Sequence, residues 1–150
     1  MKELNLYKNG IKNISFLEKV KFEKLEKLNL GENYISNINI LENVNFKELK
    51  ELYLNNNMIK DIGVLEKVKY EKLEILHLEE NKISNINILE KVNFKGLKKL
   101  NLNNNEIDDI SVLGKVKFEK LEKLNLKGNK IPNKFDSIIR ALEKTTKIYI

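Results

Sequence analysis

The chain has 150 residues, 41% hydrophobic and 33% charged, which suits one soluble domain with an ordinary share of apolar side chains. Its formal net charge is +6, and it contains no cysteine, so disulfides, thiolate metal sites and thiol nucleophiles are excluded together. No apolar run approaches the roughly 18 residues of a membrane span.

From Leu4 onward one eight-residue motif keeps returning: Leu4 to Ile11, Leu28 to Ile35, Leu52 to Ile59, Leu76 to Ile83, Leu100 to Ile107 and Leu124 to Ile131. The spacing is 24 residues throughout, and a seventh copy opens with Ile148-Tyr149-Ile150. Within each motif, Leu28 and Leu30 alternate with Lys27, Asn29 and Gly31, the period of two expected of a short strand with one buried face. Such strands are expected to stack in parallel. An asparagine column follows (Asn9, Asn33, Asn57, Asn81, Asn105, Asn129), and it has no exception. An amide offers two donors and an acceptor, so this column is read as a structural ladder that satisfies backbone groups of its own turn and the next. From Ile35 the apolar positions fall three apart, at Ile38 and Leu41, as in a 3₁₀-like return. The later columns Val20, Val44, Val68, Val92, Val116 and Phe22, Phe46, Tyr70, Phe94, Phe118 keep a fixed phase, which assigns them to core packing rather than to base stacking. No unit buries enough to fold alone, so stability has to come from stacking.

Two finer features sit on this period. Val20-Lys21-Phe22-Glu23-Lys24 returns in every second unit, with Tyr70 for the Phe in one copy, and alternates with Val44-Asn45-Phe46-Lys47-Glu48 and Val92-Asn93-Phe94-Lys95-Gly96, so pairs of units are inferred to have been duplicated together. After Ile131-Pro132 the pattern breaks, with Lys134, Ser137 and Arg140 where apolar residues are due. Phe135, Ile138, Ile139 and Leu142 fall at i, i+3, i+4 and i+7, which predicts an amphipathic helix over about 134–144. Asn133 or Asp136 is expected to cap it, Lys144 and Lys147 to suit its negative end, and 147–150 to add a last strand.

Extended back to Leu25, the motif reads L-x-x-L-x-L-x-x-N-x-I and resembles the leucine-rich repeat over nearly the whole chain. The return Ile35, Ile38, Leu41 resembles the repeats of bacterial internalins and of the phosphatase-regulator type, whose units are usually shorter than these 24 residues. The resemblance implies an α/β solenoid: a right-handed curved array with a parallel β-sheet on the concave face, 3₁₀ or irregular turns on the convex face and one C-terminal helix. Residues 1–150 are then one leucine-rich-repeat domain of six near-identical units, and a start and stop on repeat strands leaves open that it is a piece of a longer chain. The start lies inside a repeat, so no leader is expected in it. Extracellular animal relatives often carry Cys-rich caps, so the expected compartment is the cytoplasm. Asn13-Ile14-Ser15 matches a glycosylation acceptor, a match that an asparagine-rich chain produces by accident.

Little in the chain suggests chemistry. His77 is the only histidine, no glycine-rich phosphate loop is present, and the acidic pairs Asp108-Asp109 and Glu79-Glu80 have no visible supporting set. No enzyme activity, cofactor or metal is expected. The expected function is a protein–protein interaction scaffold that uses the concave sheet face, whose outward columns are mostly lysine and asparagine. Tyr53, Ile75 and His77 depart from that background in adjacent units, with Glu51 and Glu79 around them, the composition of an interface core and its rim. Drift in one copy is the plain alternative. A second class of partner, acidic protein or nucleic acid, would use the lysine-rich end of Lys98, Lys99, Lys123, Lys127 and Lys130. Terminal strands also offer edges through which two copies could pair.

Overall fold

The period-two segments form the strands, and each is three residues long: β1 (Glu3–Asn5), β2 (Lys27–Asn29), β3 (Glu51–Tyr53), β4 (Ile75–His77), β5 (Lys99–Asn101), β6 (Lys123–Asn125) and β7 (Lys147–Tyr149). In the computed structural model, which describes residues 1–150, they make one parallel sheet in sequence order. Each residue lies beside its equivalent one repeat on, as Glu3 beside Lys27 and Leu28 beside Leu52. The middle residue therefore points inward on every strand. Leu28, Leu52, Leu76, Leu100 and Leu124 are buried, while Leu4 and Ile148 on the end strands are only partly covered.

The strands are short because the chain turns out of the sheet at a fixed phase. Lys8, Glu32, Asn56, Glu80, Asn104 and Gly128 all take left-handed backbone angles, with φ between 50 and 74°. For lysine or glutamate that conformation costs about 1–2 kcal/mol, so each turn must be held by something stronger. At Gly128 a side chain would be strained by the φ of 74°, and its Cβ would lie 2.1 Å from Asn104 Oδ1, so the Asn104 side chain would have to move.

The asparagine column supplies the hold. Asn81 Nδ2 donates to the carbonyls of Leu54, Leu78 and Glu79 at 2.9–3.2 Å, and its Oδ1 accepts from Ile59 N at 3.0 Å. Asn33, Asn57 and Asn105 repeat the arrangement, each tying its own turn to the unit before it. Asn129 keeps bonds to Leu102, Leu126 and Ile107. Asn9 departs from the expectation: with no earlier unit to reach, it is exposed and its side chain donates only to Tyr7 O, within its own turn.

The expected returns are short 3₁₀ turns at Ser15–Lys19, Asn39–Glu42, Gly63–Glu66, Asn87–Glu90 and Ser111–Gly114. A second column, unremarked in the sequence, starts each one. Asn13, Asn37, Asp61, Asn85 and Asp109 accept from the amide two residues on, at 2.7–2.9 Å. Asn13 is thus a turn residue, and hydrogen bonds from Ser111 hold the Asp109 carboxyl below the usual carboxylate range. Phe46, Tyr70 and Phe94 are buried in the core as expected, with Phe22 and Phe118 half-buried nearer the ends. Tyr70 donates its hydroxyl to Leu41 O at 3.2 Å, and burial pushes the phenol up.

The C-terminal helix α1 spans Asp136–Leu142, shorter than the expected 134–144. Its first turn is taken by a 3₁₀ segment, Asn133–Phe135, and no side chain caps α1, so neither Asn133 nor Asp136 has the expected role. It ends early because Leu142 O accepts from both Thr145 N and Thr146 N, which turns the chain back to the sheet and puts Lys147 in β7 rather than at the helix end. Packing holds α1 instead: Phe135 is buried, and Ile138, Ile139 and Leu142 lie against the core.

Beside the sheet, one column alternates in sign through six units: Lys2, Glu26, Lys50, Glu74, Lys98, Glu122. Glu26 sits between Lys2 and Lys50 at 2.7 Å each, and Lys98 pairs with Glu74 at 2.9 Å. Hydrogen bonds from Lys2, then Lys50, bring the Glu26 carboxyl from 4.5 down to about 2.

Two outcomes are expected. Asn81→Ala strands the Ile59 amide and takes one of two donors from the carbonyls of Leu54, Leu78 and Glu79, lowering unfolding free energy in urea by about 1–3 kcal/mol, whereas Asn9→Ala costs under about 1 kcal/mol; equal losses would refute the ladder as the main hold. Because folding lowers the Glu26 pKa, its contribution is complete above pH 4.5 and fades as pH falls towards 2. Acid unfolding of Glu26→Gln should show a shallower loss across that window, and an unchanged slope would count against it.

Candidate functional site

Outward positions of each strand, on either side of the buried leucine, build the concave face. In the second outward column, asparagine has a job that the sequence does not advertise. Asn5, Asn29, Asn101 and Asn125 each accept from the amide two residues on, at 3.0–3.3 Å, and so brace the turn that leaves the strand. Tyr53 and His77 occupy the same column on β3 and β4, side by side in register, and neither ring can give that brace. Their rings face each other instead, with centroids 5.0 Å apart and planes at 45°.

Polar neighbours fix both rings. Tyr53 Oη donates to Glu51 Oε2 at 2.7 Å, and burial, with that carboxylate second, pushes the phenol up to about 12. It therefore stays a neutral donor at physiological pH. Lys27 Nζ stands 5.5 Å from the ring centre and 3.7 Å from Glu51. His77 Nδ1 lies 2.9 Å from Glu79 Oε1. A carboxylate only accepts, so Nδ1 carries the proton and Nε2 is the ring atom left to meet a ligand. Glu79 Oε2 is shut off from water and has no hydrogen-bond partner, and no lysine lies within ion-pair distance of that carboxylate. An unmade bond of this kind costs about 1–3 kcal/mol, more for a charged group. Ile75 is half-buried between Glu51 and Lys99 in the register.

All five residues singled out in the sequence thus share one patch of the face. The lysines divide. Lys98 belongs to the flanking column and is paired with Glu74, whereas Lys99, Lys123, Lys127 and Lys130 have no acidic partner. Lys99, Lys123 and Lys147 stand in direct register on β5, β6 and β7. This first outward column opens with alternating signs, Glu3, Lys27, Glu51, with Lys27 3.5 and 3.7 Å from its two neighbours, and then breaks at Ile75. One residue earlier on the same strands, the flanking column alternates without a break from Lys2 to Glu122 and ends at Thr146.

Nothing here assembles a reacting set: no hydroxyl or thiol is hydrogen-bonded to His77, and no cluster of acidic and histidine residues has metal-binding geometry. A groove of about 510 Å³ opens away from this face, lined by Lys60, Asp61, Gly63, Asn85, Asn87, Ile88 and Lys91, but Asp61 and Asn85 are already engaged in bracing their turns. No helix is long and apolar enough to cross a membrane.

Comparison with solved structures finds the same architecture elsewhere. An internalin (inlF) of Listeria monocytogenes is 29% identical and matches 100% of this chain with a TM-score of 0.80, and the match takes up 43% of that protein. A leucine-rich-repeat protein of Leptospira interrogans is 25% identical, with a TM-score of 0.82 over 100% of this chain and 37% of its own. The TLR13 chain of a TLR13–ssRNA13 complex is 28% identical, with a TM-score of 0.69 over 85% of this chain and 19% of its own. This chain therefore spans less than half the length of each of these proteins. No curated protein matches the sequence. The family profile described as Leucine Rich repeats (2 copies) matches residues 47–91 and 95–140, the stretch in which strand, asparagine turn and 3₁₀ return recur. The chain belongs to the leucine-rich-repeat family.

Proposed function

We propose that this chain is a non-catalytic scaffold that binds a protein partner through the concave face, centred on Tyr53, Ile75 and His77, with Glu51 and Glu79 at the rim. Leucine-rich repeats generally serve as interaction scaffolds. Fold alone is a weak warrant for function, so the argument rests on the side chains. The observation that carries it is an exchange: the turn-bracing asparagine of the second column is given up in two adjacent units, and the replacements are rings in mutual contact. Random drift has no reason to remove a hydrogen bond twice side by side and fill both places with aromatic surface, whereas an interface core favours that composition.

A second reading has its own observation. The unpaired lysines on β5 and β6 would suit an acidic protein or a nucleic acid, and the TLR13 relative is in complex with single-stranded RNA. Phosphate contacts give a steep fall of log affinity with log salt, while an aromatic core gives a shallow one.

The test is a variant returned to the background of its own columns, Tyr53→Asn, Ile75→Lys, His77→Asn, used in pull-downs from source-cell lysate at low and high salt. Regaining the turn bonds should preserve the fold, as circular dichroism would check. The expected outcome is loss of a captured protein by tenfold or more at both salts, while Lys60→Ala with Lys91→Ala on the convex-side groove leaves capture unchanged. Capture that survives the triple variant but disappears in high salt would transfer the function to the lysines.

A further inference from the structure

Charge on the concave face is divided along the stack. On β4 and its turn, the Glu79 carboxylate is bonded only by His77 and has no lysine within ion-pair distance, and the His77 ring in turn faces Tyr53. On β5 to β7, Lys99, Lys123 and Lys147 stand in adjacent register with no carboxylate near them. Like charges on neighbouring strands repel, and the chain shows that it avoids this where nothing else is at stake: the flanking column, one residue away, keeps alternating signs from Lys2 to Glu122. Both halves of the face therefore hold uncompensated charge of opposite sign.

We infer that the partner, within the concave-face function proposed above, presents an extended zwitterionic segment running across the strands. Its cationic side chain meets the Tyr53 and His77 rings, drawn by the charge of the mostly buried Glu79 carboxylate behind His77 Nδ1, and its carboxylates lie over Lys123 and Lys147. Rings and a carboxylate together are a receptor for lysine or arginine. Neighbouring strands are roughly 4.8 Å apart, so β6 and β7 lie about 10 and 14 Å from β4, and an extended chain rising about 3.3 Å per residue covers that in three or four residues. A polyphosphate lying along the same path would have to cross Glu51 and Glu79, so the face as a whole favours a peptide over a nucleic acid.

A phage-displayed random dodecapeptide library selected on the immobilised chain tests this. The expected binders carry Lys or Arg separated by three or four residues from Asp or Glu. Lys123→Glu with Lys147→Glu should weaken them about tenfold or more, and Glu79→Gln by several-fold. The double reversal turns the Lys99–Lys123 repulsion into an attraction and exchanges the Lys123–Lys147 pair for a like-charged carboxylate pair, so the melting temperature of the free chain should not fall, and lost binding cannot then be put down to misfolding. Binders that ignore the lysine reversals but fail on the Tyr53→Asn, Ile75→Lys, His77→Asn variant would overturn the zwitterionic partner and leave the concave site standing. Binders indifferent to both sets would overturn both. Salt-steep binding of oligo-uridylate in place of any peptide consensus would overturn this inference in favour of RNA.

Discussion

An asparagine amide carries two donors and one acceptor in a rigid plane, and each internal turn of this stack uses all of them on backbone. Asn57 joins the carbonyls of Leu30, Leu54 and Asn55 to the amide of Ile35, so one side chain holds two consecutive units at a fixed offset. Most else follows from that offset. Strands stop after three residues because the chain must leave the sheet to present the asparagine inward. The residue before it is forced left-handed, whatever its side chain. The leucines line up because their units do, and the core becomes one continuous body although no unit closes a core of its own. The first ladder residue, Asn9, lacks half of this arrangement, which makes the N-terminal turn the least supported of the column.

With register settled inside the array, charges on its flank add to it without having to define it. The alternation from Lys2 to Glu122 is the physical face of the paired-unit duplication: a unit of one sign fits between units of the other. The same logic governs Lys72, which reaches Glu48 with both carboxylate oxygens within 2.7 Å. Partly exposed ion pairs contribute little singly, and their consistency says more about how the array grew than about what holds it.

The buried columns were legible in the sequence because burial fixes residue type at constant phase: leucine for the strands, asparagine for the ladder, isoleucine and an aromatic for the return. Helix α1 was legible in its apolar spacing but not in its length, because the Thr145 and Thr146 amides that close it onto Leu142 belong to tertiary routing rather than to helix propensity. Two columns are not legible in the sequence. The residues that open the 3₁₀ turns, Asn13 through Asp109, mix Asn with Asp, and the concave asparagines looked like background composition. Only the hydrogen bonds of Asn29 and Asn101 reveal that the background has a function. Tyr53, Ile75 and His77 could be named as departures, but what they displaced, and the stranded oxygen of Glu79, exist only once the strands are in register.

That displacement separates two kinds of work in the chain. The ladder and core are set by residues no solvent or partner reaches, so outward positions can change without disturbing the offset between units. The concave face makes changes that lower its own local stability: a lost turn brace on β3 and on β4, a carboxylate oxygen without a donor, and three lysines in line. Each is tolerable because the neighbouring asparagine ladder remains intact at Asn57, Asn81 and Asn105. All of them lie on one side of one sheet, and the flank one residue away shows none. Defects confined in this way are the pattern expected if that face serves the binding role proposed for it, on a scaffold whose stability is secured elsewhere.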